Sequence, residues 1–344
     1  MLKKLSTIFT KDSKYHHNNK LYYSNGNVMY EGDLSNHLFD GYGKLYENTG
    51  KLLYEGNFKE GLRSGKGVAY LDNSIYSGDF RQDKMHGQGQ QTWNDGSIYT
   101  GTFVDGYREG RGTLTLLDGT TFEGMFINNE LEGIATATYS NGDVYIGDFE
   151  QSIAKGKGKI KFHNGDIYEG DIIQNALPHG KGTLTLTDGS VYKGDFNHGA
   201  VTGKGMKYFM NGHRYMGDFK NGLMHGEGCY EDVQHNRYEG LFENDYMVAS
   251  YHGVYLYPEG KYEGPLIAGQ PEGEGVFYFN NGDIYTGTFS NGKMTGKGEK
   301  TFANGHIYVG EFKDGMMHGE GLYNDNLYTY KGLFADNYMI KRFT

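Results

Sequence analysis

Cysteine occurs once in 344 residues and proline four times, so neither disulfides nor proline-rich linkers organise this chain. The lone Cys229 excludes an internal disulfide framework and points to a reducing compartment. No apolar run approaches the ~18 residues of a membrane span. Basic charge is also short: 33 Lys and Arg face 43 Asp and Glu, for a formal net charge of −10. A nucleic-acid binder needs a basic face, which sets that class aside. No Gly-x-Ser-x-Gly elbow is present, and the stretch most like a phosphate loop, Gly61-Leu-Arg-Ser-Gly-Lys-Gly67, has the wrong spacing and ends in Lys-Gly rather than Lys-Ser/Thr. His86, His179, His225 and His318 each stand just before a Gly-x-Gly step, at least two repeats apart. In a sheet that separates them by roughly 20 Å, too far to share a metal. No catalytic, cofactor-binding or metal-binding constellation is found, and the chain reads as a non-enzyme.

Glycine and tyrosine are what the chain has in excess. Its 56 glycines are more than twice the usual share of about 7%. Tyr-x-Gly-x-[Phe/Leu/Ile] recurs fourteen times at steps of 22 to 24 residues, from Tyr30-Glu-Gly-Asp-Leu34 to Tyr330-Lys-Gly-Leu-Phe334, with Phe122 as the one start that is not Tyr. Fourteen glycines belong to that motif, 24 to intervening Gly-x-Gly steps, and the rest to turns such as Asn141-Gly142 and Asp188-Gly189. A fixed period in this range means stacked supersecondary units rather than one globular core.

Within each unit the alternation has period two. In residues 178–196, Gly180, Gly182, Leu184 and Leu186 share one parity, and Lys181, Thr183 and Thr185 the other. After Asp188-Gly189, Tyr192, Gly194 and Phe196 alternate with Lys193 and Asp195. Alternation around an Asx-Gly turn is the signature of a β-hairpin. The expected fold is all-β: an elongated single-layer antiparallel meander of about 14 repeats of 23 residues, each adding about 10 Å. Its two end strands are open edges that invite pairing with another copy.

One face of this sheet carries the Tyr, the Phe and a third large residue four positions after the second Gly. Glycines between them let a ring lie flat on the backbone. That aromatic-glycine strip is wide enough for a helix or an extended peptide, and its candidate groove residues are Trp93, Tyr99, Phe103, Tyr168, Tyr192, Phe196, Phe209, Tyr215, Phe219, Phe279, Tyr285 and Phe289. The other face is polar. Its lysines, with the basic N-terminus, are candidates to meet anionic lipid: Lys3, Lys4, Lys181, Lys193 and Lys204. Cys229, on the polar-face parity, reads as a replaceable small residue.

The motif Tyr-x-Gly-x-Phe…Gly-x-Gly…Asn/Asp-Gly resembles the MORN repeat, over about residues 22–344. The resemblance implies an elongated β-meander serving as a scaffold, a dimerisation device or a groove for a partner helix, in ciliary, basal-body or cytoskeletal assemblies. It also implies phosphoinositide binding for some members. Departures are Ala135 and Tyr255 in place of the second Gly of Gly-x-Gly, and the irregular segment Asn244-Asp-Tyr-Met-Val-Ala-Ser-Tyr251. A near copy of that segment, Asp336-Asn-Tyr-Met-Ile-Lys-Arg-Phe343, ends the chain.

The expected organisation is a basic segment, 1–20, disordered or capping, followed by an array at 21–344. Within it 168–252 and 262–344 read as duplicated four-repeat blocks, the irregular end of one a bend and that of the other a cap. The expected role is a cytoplasmic, cytoskeleton- or cilium-associated scaffold that docks protein partners, as a helical or extended segment or a large assembly, with a homodimer through the sheet ends as an option. The alternative is a peripheral module for acidic phospholipids. Mitochondrial import of the basic N-terminus is a minor alternative.

Overall fold

The computed structural model describes residues 19–343. The basic N-terminal segment up to residue 18, with Lys3 and Lys4, lies outside the described residues. The chain divides into two compact units, residues 1–177 and 178–344. In the first, fourteen strands from Lys20–Tyr22 to Ile167–Ile173 follow one another as an antiparallel meander, each pairing with the next in sequence. In the second, the meander runs from Leu177–Thr185 to Tyr338–Arg342. Gly260–Gly264 pairs directly with Gly273–Phe279, and in the connection between them, after Pro265, Leu266–Ile267 with Gln270–Pro271 form a separate two-stranded hairpin. No α-helix occurs among the described residues. The all-β single-layer meander expected from the alternation is the observed fold.

Two kinds of turn alternate. One is a two-residue turn with both residues at positive φ, such as Asn128 (50°) and Asn129 (76°), the geometry that matches strand twist. The other closes before the Tyr. At Trp93–Ser97 the Ser97 carbonyl accepts from the Trp93 N–H, Gly96 takes φ 90°, and the Asp95 carboxylate accepts from the Ser97 N–H at 2.8 Å.

The core is a self-packed row of rings on one face. Tyr54 lies over Gly67, where an added Cβ would collide with its phenol ring. Phe58 and Phe80 stand edge-on to it, both with centroids 5.0 Å away at 81° and 84°. Tyr76 repeats the arrangement between Phe80 and Phe103, at 5.1 and 4.9 Å. Each Phe thus wedges between two successive tyrosines, the edge-to-face geometry that rings prefer. The phenol hydroxyl is used as well: Tyr54 donates to the Asn57 carbonyl at 3.0 Å and Tyr192 to the Asp195 carbonyl at 3.1 Å. A sheet with one such face needs no second layer, because each repeat covers the glycines of its neighbour.

The two departures in the first unit compensate one another. Phe122 has no hydroxyl to donate, and its ring turns to Phe149 at 6.2 Å. The space that a Tyr ring takes over the glycine in other repeats is filled by Ala135, whose methyl faces Gly124 and is 4% exposed.

Between hairpins the register slips by two residues, as between Gly194 and Asp195. The Asp that follows Tyr-x-Gly holds the slipped strand: Asp195 accepts from the Lys204 N–H at 3.0 Å and Asp218 from the Glu227 N–H at 3.3 Å. Around the irregular segment the slip is split, after Glu239 and after Leu241, along the long strand Tyr246–Tyr257. Such bulges bend a strand locally without ending its pairing. The terminal copy, Tyr338–Arg342, pairs with Thr329–Ala335 on one side and with no other strand among the described residues.

Candidate interaction groove

The ladder registers line the glycines up. In the second unit Gly182, Gly194, Gly205, Gly217, Gly228 and Gly240 oppose one another across six successive strands. The missing Cβ atoms all point to the ring face, so on the polar face this row is a bare backbone floor. Side chains one residue to either side form its banks. One bank runs Thr183, Lys193, Met206, Met216, Cys229, Glu239, each opposing the next. The other carries Lys181, Asp195, Lys204, Asp218, Glu227 and Leu241. Together they enclose an open groove of about 720 Å³, reached at one end by Tyr251.

Two further grooves follow the same plan. In the second unit, Glu274, Thr286, Lys297, Val309, Glu311, Glu320, Leu322 and Lys331 border about 610 Å³ over Gly287, Gly298, Gly310 and Gly321. In the first, Tyr42, Glu55, Lys66, Val68, Gln88, Gln90 and Thr100 border about 710 Å³ over Gly56, Gly67, Gly78 and Gly89.

Three of the six lysines that line the grooves, Lys66, Lys181 and Lys204, are paired. The Lys in the middle of Gly-x-Gly reaches the Asp opposite it: Lys66 to Asp79 at 2.9 Å, Lys157 to Asp171 at 3.4 Å, Lys204 to Asp218 at 2.9 Å, and Lys181 to Asp195. The bond to Asp218 raises the Lys204 ammonium above its ordinary pKa, and Lys181 lowers the Asp195 carboxyl. Lys193 has no ion-pair partner among the described residues. The exposed pairs add at most about 1 kcal/mol each, but they cancel charge locally, so the groove has no strong single-sign field.

The residues expected to form the groove lie elsewhere. Tyr99, Phe103, Tyr168, Tyr192, Phe196, Tyr215, Phe219, Tyr285 and Phe289 are all 4% exposed or less. They are the core, shut by the wedging of each Phe between tyrosines. Trp93, Phe209 and Phe279 are half-buried at strand ends before the turns, with the Arg108 guanidinium 5.6 Å above Trp93 and Lys207 4.9 Å above Phe209. The aromatic strip is thus not a groove, and the groove opens on the opposite face. Lys181, Lys193 and Lys204, expected to face lipid, are brought together there. The sequence singles out none of Met206, Met216 and Tyr251 as groove residues, and Cys229 reads there as a replaceable small residue on the polar-face parity. Their signal was present as apolar residues on the parity that is otherwise charged.

The MORN repeat model matches residues 30–50, 54–74, 76–98, 99–121, 122–144, 145–167, 168–191, 215–237, 262–284, 285–307 and 308–325. The chain belongs to the MORN repeat family. A MORN array is a repeat scaffold for protein or membrane interaction, and the family is generally non-enzymatic. One unmatched stretch, 238–261, is where Tyr238 packs on Tyr255 at 5.9 Å in place of a glycine. No curated protein matches this MORN chain. Among solved structures, the TCP10 domain of Danio rerio CPAP is 11% identical with a TM-score of 0.32, over 66% of this chain and 94% of that one. The SAS-4 (dCPAP) TCP domain of Drosophila melanogaster, in complex with a proline rich motif of Ana2 (dSTIL), is 13% identical with a TM-score of 0.28, over 57% and 97%. Likenesses this weak add nothing about fold or function.

Proposed function

We propose that this MORN array is a non-catalytic scaffold that docks protein partners in its glycine-floored grooves, within a cytoskeletal, ciliary or cortical assembly of the cytoplasm. The observation that carries the reading is the groove at 181–251: a backbone floor, an apolar Met206–Met216–Cys229 stretch on one bank, and paired charges on the other. Apolar contact over a floor without side chains favours a rod-shaped partner segment, and paired charges around it supply register rather than bulk attraction. The pairing of Lys181 and Lys204 leaves Lys193 alone in this groove to meet acidic phospholipid, which weakens that case.

The test is a capture of the tagged full chain from its own cells, with washes at moderate and high salt, alongside Met216→Glu and Val309→Glu. A stoichiometric protein that survives high salt and is lost from one of the two variants supports docking. Acidic lipid recovered at low salt only, and equally by all three chains, would replace docking with the membrane reading.

A further inference from the structure

We propose that Met206, Met216 and Cys229 form a binding site for a soft monovalent metal ion, Cu(I). The register sets Met206 opposite Met216 and Met216 opposite Cys229 on three successive antiparallel strands. Directly opposed residues share a face, with Cβ atoms about 4.5–5.5 Å apart. All three side chains line the same groove and also a smaller recess of about 380 Å³ beside it. Met206 and Cys229 flank the Met216 strand about 10 Å apart, and the unbranched methionine side chains can bring their sulfurs toward the thiol over that middle strand.

The donor set selects the ion. Two thioethers and one thiolate are soft ligands, which favour Cu(I) over Zn²⁺, Mg²⁺ or Ca²⁺. Among the described residues no group of three or more His, Cys, Asp or Glu is placed to hold a harder ion. Binding forms a copper–thiolate bond and releases the thiol proton to water, so the filled site is neutral, with copper unchanged in oxidation state. Of the cations nearby, Arg214 bonds Glu231 at 2.7 Å, Arg237 lies against the Cys229 thiol as well as bonding Glu239 at 2.7 Å, and Lys193 stands opposite Met206. An ion can reach the place, because Met216 is 53% exposed.

The fold does not ask for sulfur here. At the matching positions 93 residues on stand Glu299, Val309 and Leu322, in the same mutual register, Glu299 opposite Val309 and Val309 opposite Leu322. The repeat is equally regular with and without the three sulfurs. The inference is independent of which partner enters the groove.

The experiment is an anaerobic Cu(I) titration of the full chain against bicinchoninate as competing chelator, with circular dichroism to confirm that each variant is folded. The wild-type chain should take one Cu(I) beyond what Cys229→Ala takes, and the Met206→Val/Met216→Val double variant should bind at least tenfold more weakly while keeping its thiol. X-ray absorption at the copper edge should report three sulfur neighbours. Transplanting the donors as Glu299→Met/Val309→Met/Leu322→Cys should add a second equivalent. Equal affinity of the wild type and the double methionine variant would overturn the site, since a lone thiol would then explain the binding. So would a wild-type chain that binds no more copper than Cys229→Ala.

Discussion

Two stretches of the second unit, 181–251 and 274–331, have the same floor and different banks. Both rest on opposed glycines covered from behind by tyrosines, with Tyr192 and Tyr215 in one and Tyr285 and Tyr308 in the other. The wedged rings match closely: Tyr192 to Phe219 is 4.8 Å at 76°, and Tyr285 to Phe312 is 4.7 Å at 73°. The banks diverge. The first groove has three lysines and two glutamates with two methionines and a cysteine, the second two lysines and three glutamates with Val309 and Leu322. The comparison teaches that the repeat constrains one face completely and leaves the other free, so recognition can change without touching the core.

The strongest way to break the comparison is to attack the shared floor. A Cβ on Gly194 would lie 2.6 Å from the Gly205 Cα and 2.7 Å from the Lys204 carbonyl oxygen; on Gly287 it would lie 2.6 Å from the Gly298 Cα and 2.7 Å from the Lys297 carbonyl oxygen. Neither backbone atom can give way as a side chain would. Gly194→Val and Gly287→Val should each cost about 3 kcal/mol or more and lower the melting temperature measured by calorimetry. A wild-type melting temperature for either would sink the ring-on-glycine account.

Alkali should strike both stretches alike. Burial pushes the phenols of Tyr192, Tyr215 and Tyr308 up to about 12, against about 10 in the unfolded chain. A raised folded pKa means that this contribution is fully present below pH ~10 and is lost as pH rises toward 12, because only the unfolded chain gives up the proton readily. Urea unfolding followed at increasing pH should show a stability plateau to about pH 9 and a fall beyond 10. Phenolate absorbance of the core tyrosines should appear together with unfolding. Core phenols that titrate near 10 in the folded chain would contradict the packing.

Bank substitutions should separate the stretches. Met216→Glu and Val309→Glu replace exposed positions, so each should stay within about 0.5 kcal/mol of the parent in stability. Only one should reduce partner binding, by ~10-fold or more, measured by titration of the captured partner. The smallest effects belong to the lysines. Lys193→Ala should be silent in stability, and Lys204→Ala, which loses the exposed pair with Asp218, should cost at most about 1 kcal/mol. A larger loss would mean that the ion pairs, and not the rings, hold the strands.

Much of the fold was legible because its rules are local. Period-two alternation, Asx-Gly turns and a 23-residue step name strands, turns and faces without any knowledge of neighbours. The site was legible only in part. Lys181, Lys193 and Lys204 were assigned to the polar face and stand on it, whereas nine rings offered as a groove are core. Sequence shows that rings share a face but not the distances between them, and it is the 5 Å wedging of Phe80 between Tyr54 and Tyr76 that closes that face. Phe122 and Ala135 likewise read as two separate defects until their adjacency in space makes them one compensated change.

Sequence alone determined the repeat, the meander, the parity of side chains within the regular repeats and the need for glycine beneath their tyrosines, since all of these follow from neighbours a few residues apart. The tertiary structure decided which face is open and which side chains meet on it. Met206 and Met216 are ten residues apart and Met216 and Cys229 thirteen, spacings that no local rule relates. They become adjacent because strand pairing, with its two-residue slip at each Asp, converts unequal distances along the chain into equal steps across the sheet.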